Sequence, residues 1–385
     1  MPTTSGWLVG LTAACAIGVG RFFGILELFV VGSGLATSLV WAIITVGFRA
    51  PTLGVTRTIR PDRPTAGEPA RAELEFVNTG RTRSAPVRVI ETVGRSSSAR
   101  MRIGALVAGD RIAAGYRIPT SRRGRLPIGP TVLVRQDALG LASRAVTAID
   151  VVDLVVAPRT VELAMPVLGR GPLGRELAAT ARRLGPGEFH ALRTYAPGDD
   201  PRLVDWKASA RTDDLVVREH RTPELQRCVV VLDRSGDTEH VHDSSDPFEL
   251  AVIAAASIVL ASDRAGLATI FRTGGGVDLR GSDVATRTLE VLATLEAGSD
   301  SDDGTSDPPL DGLGLLVVIT NSPESPAWTT TSTDPTTARI GVFTRSMRTD
   351  STRSGSLIPA PTLDAFVTNW ADLVDDHGSR TARSR

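Results

Sequence analysis

The densest run of charged residues lies between Leu192 and His220, here called the charged segment. Carboxylates and cations at this density can form a salt-bridged clamp that locks a loop onto the following sheet. They can also leave cations free to bind an anion or a protein. Catalysis is disfavoured, because no Ser, Cys or His of the segment has a recognisable base beside it. The candidate binding residues are Tyr195, Gly198, Asp199, Asp200, Arg202, Asp205, Trp206, Lys207, Arg211, Arg218 and Glu219.

If the charged segment binds an anion or a protein, the predicted docking surface consists of the cations Arg202, Lys207 and Arg211. Trp206 lies among them, and we expect its ring to be partly buried with cations near its face. The run from Pro197 to Pro201 is strong turn chemistry, so the segment should begin with a tight turn.

Overall composition excludes several classes of function. The chain has 43 basic and 43 acidic residues, so it has no global attraction to nucleic acid, and any charge argument must be local. Two cysteines, Cys15 and Cys228, cannot form a disulfide framework or a CxxC metal pair. The glycine clusters at 171–174 and 274–276 lack the Lys-Ser/Thr of a phosphate loop, which argues against nucleotide hydrolysis.

Two apolar runs near the N-terminus predict a transmembrane helical hairpin within residues 1–50, with residues 7–48 in the bilayer. Trp7–Gly20 and Leu28–Phe48 carry no charge, and the turn is expected at Arg21–Glu27. The first run is short and spans only if it includes Phe22 and Phe23 or if the bilayer thins. A cleaved signal peptide or a lipoprotein site is the alternative, although residues 1–6 lack the required basic start.

Charge beside the second run predicts the orientation. The arginines that follow it favour a plasma-membrane protein, multi-pass, whose soluble domains face the cytoplasm. These arginines are Arg49, Arg57, Arg60 and Arg63.

The rest of the chain predicts two soluble domains. Residues 51–166 contain short β-leaning stretches separated by turn signals, which is typical of a small β-sandwich. Residues 167–377 alternate buried strands such as Cys228–Leu232 with helices such as Phe248–Ala261, which predicts an α/β doubly wound, mostly parallel sheet. Residues 378–385 are expected to be a disordered tail.

The order of residues in the charged segment resembles the signature of the domain of unknown function 58 family. Arg122–Arg125 and Asp137–Leu141 are similar to the family's "RRG…DPFGL" stretch, with Ala138 and Leu139 departing from it. The resemblance implies a membrane-bound bacterial protein with a β-rich domain and a von Willebrand factor type A-like domain. It also implies a partner, because such proteins often accompany MoxR-type AAA+ ATPases. The matching run is Tyr195-x-Pro197-Gly198-Asp199-Asp200-Pro201-Arg202-x-x-Asp205-Trp206-Lys207-Ala208-x-Ala210-Arg211, then Val217-Arg218-Glu219.

The same resemblance points to a candidate metal site. Type A domains bind Mg²⁺ through Asp-x-Ser-x-Ser after their first buried strand, and here Asp233, Ser235 and Asp237 occupy those positions. Asp237 replaces the last Ser, and Asn321 stands where a further Asp is expected. The pattern is therefore degenerate, and Mg²⁺ is a candidate cofactor only.

These features together predict a membrane-tethered, non-enzymatic interaction or scaffold protein. It would work with a MoxR-type AAA+ ATPase in the assembly or maturation of other proteins. The alternative is a metal-dependent, envelope-associated hydrolase or transferase that uses the acidic cluster.

Overall fold

The computed structural model describes residues 1–47, 52–183, 189–211, 214–220, 224–234, 246–273, 276–298, 313–329, 336–345 and 356–375, with the backbone alone at 189–191, 218–220 and 356. The predicted tail lies outside these residues. The chain divides into two compact units, Met1–Ala157 and Pro158–Arg385. The division lies before the predicted boundary at 166, and Val161, Leu163 and Met165 pack against the core of the second unit.

Helices occur at both ends of the chain, and strands fill most of the first unit. The helices are α1 Thr4–Phe23, α2 Leu26–Gly47, α3 Gly171–Arg183, α4 Trp206–Ser209, α5 Pro247–Arg264, α6 Val284–Thr294, α7 Pro326–Thr329 and α8 Leu363–Val374. The strands are β1 Leu53–Arg60, β2 Ala70–Asn78, β3 Val87–Val93, β4 Ser97–Ile103, β5 Arg111–Ile118, β6 Gly124–Gln136, β7 Ser143–Ile149, β8 Val152–Val156, β9 Phe189–Thr194, β10 Val216–His220, β11 Leu225–Leu232, β12 Ala268–Thr273, β13 Val277–Leu279, β14 Leu313–Thr320, β15 Thr337–Phe343 and β16 Ser356–Pro359.

Helices α1 and α2 form the N-terminal hairpin, and both are long and apolar enough to cross a membrane. Their 20 and 22 residues correspond to about 30 Å each at 1.5 Å per residue. The predicted turn at Arg21–Glu27 was too long. Gly24 ends α1 in the left-handed conformation (φ +71°), and α2 begins at Leu26. The first helix therefore includes Phe22 and Phe23, the extension that a full span requires.

The N-terminus of the chain pairs with a loop of the first unit. The Met1 amine donates to the Ser143 carbonyl oxygen at 2.8 Å, and the Thr3 N–H donates to the Leu141 carbonyl oxygen at 2.9 Å. The Thr3 hydroxyl donates to the Gly140 carbonyl oxygen at 2.6 Å and also caps α1. Gly6 has no room for a Cβ, which would collide with the Leu141 carbonyl. The start of α1 is thus fixed against the β strands.

Residues 137–142, here called the anchor loop, are shaped by one carboxylate. Asp137 accepts hydrogen bonds from the Leu139 and Ala142 amides, at 2.9 and 2.6 Å. The loop's buried Leu141 and Ala142 pack against Ala42 and Val46 of α2. Both helices of the hairpin therefore rest on the same loop.

A β-sandwich follows the hairpin, as predicted. One sheet has the strand order β1-β2-β5, and the other has the order β4-β3-β6-β7, with β8 also paired to β6. All of these pairs are antiparallel. Inward-facing residues of both sheets, such as Leu74, Phe76, Val89 and Leu133, are fully or almost fully buried between them.

A buried ion pair crosses this sandwich. The Arg57 Nη1 atom lies 2.7 Å from the Glu91 Oε1 atom, and their side chains are 5% and 0% exposed. Arg57 also donates to the carbonyl oxygens of Ile128 and Asp150, and Thr131 donates to Glu91. Each member of the pair therefore has further hydrogen-bond partners inside the domain, as a buried ion pair requires.

The second unit is built on a six-stranded sheet in the order β13-β12-β11-β14-β15-β16. All neighbouring strands are parallel except β13, which is antiparallel on the edge. This is the strand order of an open doubly wound sheet. A doubly wound sheet has helices on both of its faces, and this part of the prediction is only partly confirmed. Among the described residues α3, α5, α6 and α8 all pack into one core on one face, and the other face has only α7.

The Arg57–Glu91 pair gives a first prediction. Arg57→Ala leaves the buried Glu91 carboxylate without its cation, so the free energy of unfolding should fall by roughly 3–5 kcal/mol. Chemical denaturation of the full chain in detergent measures this. Arg111→Ala is the control, since its ion pair with Glu75 is exposed and should contribute less than about 1 kcal/mol. Equal losses in the two variants would contradict a stabilising role for the buried pair.

Candidate functional site

The charged segment forms a small antiparallel ribbon of two strands. The residues between the two strands, which include a 3₁₀ turn and α4, form a cap on the ribbon. Strands β9 and β10 form a two-stranded antiparallel sheet, in which Thr194 is paired with Val216. The predicted turn lies at the end of β9, where Gly198 has a φ of +112°, a conformation that favours glycine. The polypeptide then runs through a 3₁₀ turn at Pro201–Leu203 and through α4 before it returns as β10.

Asp199 closes the turn. Its two carboxylate oxygens accept hydrogen bonds from the two terminal nitrogens of Arg193, both at 2.7 Å, and Oδ2 also accepts from the Ala196 N–H. The hydrogen bonds from the Arg193 guanidinium and then from the Ala196 amide lower the pKa of Asp199 to about 2. Asp199 is therefore ionised at neutral pH and is committed to the ribbon.

Two further carboxylates of the segment act as helix caps. Asp200 accepts from the Arg202 N–H, and Asp205 accepts from the N–H groups of Lys207 and Ala208. Such capping satisfies amides that have no partner within a short helix. The acidic residues of the signature therefore stabilise the local fold.

Hydrogen bonds close the cap onto the ribbon. The Ser209 hydroxyl oxygen accepts from the Val216 N–H at 2.8 Å, and the Asp205 N–H donates to the Val216 carbonyl oxygen at 2.9 Å. Val204 pairs with Val217 as an isolated bridge, and both are buried. The described part of the clamp thus includes capping and backbone bonds and the Arg193–Asp199 ion pair.

The cations of the segment lie on the outside. Arg202, Lys207 and Arg211 are exposed, and none of their side chains forms an ion pair within the described part of the chain. The expectation that Trp206 is partly buried was wrong, since its side chain is 68% exposed. The reason is its position on α4, a helix of four residues. Leu192, Leu203 and Leu215 of the segment are also exposed.

Three further predicted binding residues are Tyr195, Arg218 and Glu219, and the structure describes only the backbone of the last two. Tyr195 is half-buried, and its N–H donates to the Leu215 carbonyl oxygen across the ribbon. Arg218 and Glu219 lie on β10, opposite Leu192 and Ala191, but their side chains are outside the described part of the structure.

The candidate metal site lies elsewhere, at the carboxyl edge of the parallel sheet. Asp233 follows β11, and its Oδ2 atom accepts hydrogen bonds from the hydroxyls of Thr320 and Ser325, at 2.6 and 2.5 Å. Sequence reasoning missed these two hydroxyls. Thr320 ends the neighbouring strand β14, and that adjacency was the signal that could have identified it. Ser235 and Asp237 lie outside the described residues.

The donor atoms at this edge fit a hard cation in type but only partly in charge. Carboxylate and hydroxyl oxygens suit Mg²⁺, which usually takes one or two carboxylates. Asp233 supplies one, and the described residues contain no group of three His, Cys, Asp or Glu side chains that could hold a metal. The Thr320 and Ser325 hydroxyls would have to exchange their bonds to Asp233 for bonds to the ion.

The Arg193–Asp199 pair predicts the acid response of the ribbon. Because the folded-state pKa is lowered, its stabilising contribution is complete above about pH 4 and is lost as the pH falls through about 2. A carboxyl NMR titration should give Asp199 a midpoint near 2, and Arg193→Ala should raise that midpoint. Arg211→Ala is the matched control and should leave it unchanged. A wild-type midpoint near 4 would contradict the geometry.

Comparisons with known proteins bear on this segment. No curated protein matches the chain. Among solved structures, the CARDB domain of a Pyrococcus furiosus protein in complex with di-metal ions is 14% identical, covers 29% of this chain and 91% of that chain, and has a TM-score of 0.22. The putative ApaA protein from Bordetella pertussis is 14% identical over 28% of this chain and 94% of that chain, with a TM-score of 0.20. Similarities this weak support no inference about function. Residues 191–274, which contain the whole charged segment, match the family described as "Protein of unknown function DUF58", which agrees with the resemblance noted from the sequence.

Proposed function

We propose that this protein is a membrane-tethered, non-enzymatic interaction module that docks an acidic protein partner on its charged segment. One observation carries the proposal. Asp199, Asp200 and Asp205 are used in internal hydrogen bonds, while Arg202, Lys207 and Arg211 face solvent in the same segment as an exposed Trp206. A surface organised in this way leaves Arg202, Lys207 and Arg211 exposed to a partner, without an ion pair among the described residues.

The chemistry of this surface suits a protein partner. Arginine and tryptophan are enriched among the residues that dominate binding energy at protein interfaces. Opposite charge on a partner would accelerate association and fix its orientation. The apolar side chains of Leu203 and Leu215 add area that could become buried on binding.

The partner that we propose is a MoxR-type AAA+ ATPase, by family resemblance. The complex would serve the assembly or maturation of other proteins. The strand order of the second unit agrees with an open α/β sheet, which supports a von Willebrand factor type A-like domain at that level. We propose that this domain presents the charged segment to the ATPase.

The hairpin would place these domains on the cytoplasmic face of the plasma membrane as a protein with two spans. Outward-facing apolar side chains such as Trp7, Leu11 and Trp41 suit contact with lipid. Met1 is held by Ser143, and Arg144 donates to the Gly47 carbonyl oxygen at 2.6 Å, so both outer ends of the hairpin lie at the β-sandwich. Arginines after α2 favour the cytoplasmic side.

A metal-dependent, envelope-associated hydrolase or transferase is the second candidate function. The convergence of Thr320 and Ser325 on Asp233 at the carboxyl edge of the sheet favours it, since such edges are common ligand positions. Against it, Asp199, Asp200 and Asp205 of the charged segment are already engaged in capping and pairing.

Reversing charge on the docking surface tests the first proposal. Lys207→Glu with Arg211→Glu should weaken binding of a purified MoxR-type ATPase from the same organism by at least about tenfold, or about 1.4 kcal/mol. Biolayer interferometry with the full chain in nanodiscs measures this. Arg95→Glu with Arg122→Glu changes the net charge equally at exposed sites of the first unit, and should leave binding unchanged.

Two outcomes would contradict docking by this surface. Equal weakening by both double variants would show that only net charge matters. Unchanged binding with a lowered unfolding temperature in Lys207→Glu with Arg211→Glu would show that the segment is a structural clamp.

Metal titration tests the second candidate. We expect no heat when Mg²⁺ or Mn²⁺ is added to the full chain in detergent, because Asp233 supplies one carboxylate that already accepts two hydroxyl bonds. Calorimetry decides this. Heat that disappears in Asp233→Ala and persists in Asp263→Ala, a matched exposed acid, would favour the metal-dependent enzyme.

A further inference from the structure

The end of the β-sandwich beside the hairpin is formed by three described connections, residues 79–86, 104–110 and 137–142. We call this the proximal end. Hydrogen bonds tie two of the connections together: the Ser84 N–H donates to the Leu106 carbonyl oxygen, and the Gly109 N–H donates to the Asn78 carbonyl oxygen. The third connection is the anchor loop, which holds α1 and α2.

The depth of the proximal end follows from the helices. Trp7 and Trp41 are both exposed near the outer ends of α1 and α2, where tryptophan marks the membrane–water interface. Thr3 precedes Trp7 by four residues, so it lies about 6 Å further out. The polar layer of a bilayer is about 5–8 Å thick on each side. The Gly140 and Leu141 carbonyls that bind Thr3 therefore lie at the depth of the lipid headgroups.

The other connections cannot be far from this layer. Thr52 follows Gly47 by five residues, which span at most about 18 Å. The Thr79 N–H donates to the Thr52 carbonyl oxygen at 2.9 Å, which places the start of the 79–86 connection beside the exit from the hairpin. Each of two connections at the proximal end exposes an apolar side chain, Val107 at 55% and Leu139 at 69%.

Exposed arginines lie at the same end of the sandwich. Arg88 of β3 and Arg102 of β4 are paired directly opposite each other, and both are exposed. Like charges at such a position destabilise a sheet unless an anion lies between them. Arg81 and Arg83 are exposed in the 79–86 connection, and none of the four forms an ion pair within the described ranges.

We propose that the proximal end of the β-sandwich is a binding surface for anionic phospholipid headgroups. It rests on the proposed insertion of the hairpin. Leu139 and Val107 enter the interfacial layer, and Arg81, Arg83, Arg88 and Arg102 take lipid phosphates, which suit the planar guanidinium. Long arginine side chains can reach the phosphates from the outer surface of the sheet. The surface would hold the soluble body close to the bilayer in a defined orientation.

The test uses the full chain in nanodiscs of phosphatidylcholine alone or with phosphatidylglycerol. An environment-sensitive fluorophore is attached at Val107→Cys or Leu139→Cys in a Cys15→Ala background, since the other cysteine, Cys228, is buried. Lipids spin-labelled at the headgroup should quench both positions, and more strongly with phosphatidylglycerol. Val151→Cys, at the opposite end of the sandwich and 50% exposed, is the matched control and should not respond.

Arginine substitutions identify the source of the effect. Arg81→Gln with Arg83→Gln should reduce the phosphatidylglycerol-dependent quenching by roughly fivefold for each arginine replaced. Arg95→Gln with Arg122→Gln should not reduce it. Quenching that is absent at Val107 and Leu139, or equal with and without phosphatidylglycerol, would overturn the proposal, as would equal effects of the two double variants.

A label on the native Cys15 separates this proposal from the insertion on which it rests. Cys15 is exposed on α1, and lipids spin-labelled on the acyl chain should quench it if the hairpin is inserted. Quenching at Cys15 without quenching at Val107 and Leu139 would overturn the lipid-binding surface alone. No quenching at Cys15 would overturn the membrane-tethered function and this proposal together.

Discussion

The pairing of residues 1–3 with residues 140–143 is the constraint on which the first unit depends. Met1 and Thr3 make backbone hydrogen bonds to the anchor loop, and Gly6 allows α1 to approach its carbonyl. Asp137 shapes that loop by accepting from two of its amides. Because both helices contact one loop, the hairpin and the β-sandwich form one compact unit. The hairpin is thus part of the same compact unit as the β-sandwich that follows it.

The charged segment combines a backbone that is fixed by hydrogen bonds with cations that are exposed to solvent. Its carboxylates accept hydrogen bonds from their own backbone or from Arg193, which stabilises the turn, the 3₁₀ turn and α4. Arg202, Lys207 and Arg211 form no ion pair with a described carboxylate. A segment whose acids and bases paired with one another would be equally charged in sequence and much less able to bind a partner.

Local patterns predicted much of the fold. The buried strand β11 and the helix α5 occur where apolar runs indicated, and the strands of the sandwich lie within the region predicted to be rich in β structure. Helix α3 was not predicted, because glycine, proline and arginine are frequent in and around it. Its buried Leu173, Leu177 and Ala181 repeat every four residues, which was the available signal. Which face of the sheet the helices cover could not be predicted, since several elements must first be in place.

By itself the sequence determined the properties that depend on neighbouring residues: two apolar runs, the second long enough to span a bilayer, a turn that needs Gly198, and strands apolar enough to be buried. Only the tertiary structure decided that Asp199 faces Arg193 while Lys207 faces solvent, and that Thr320 and Ser325 converge on Asp233. The physical reason is separation along the chain. Asp233 and Thr320 meet because β11 and β14 are adjacent in the sheet, and strand order is set by packing of the whole unit.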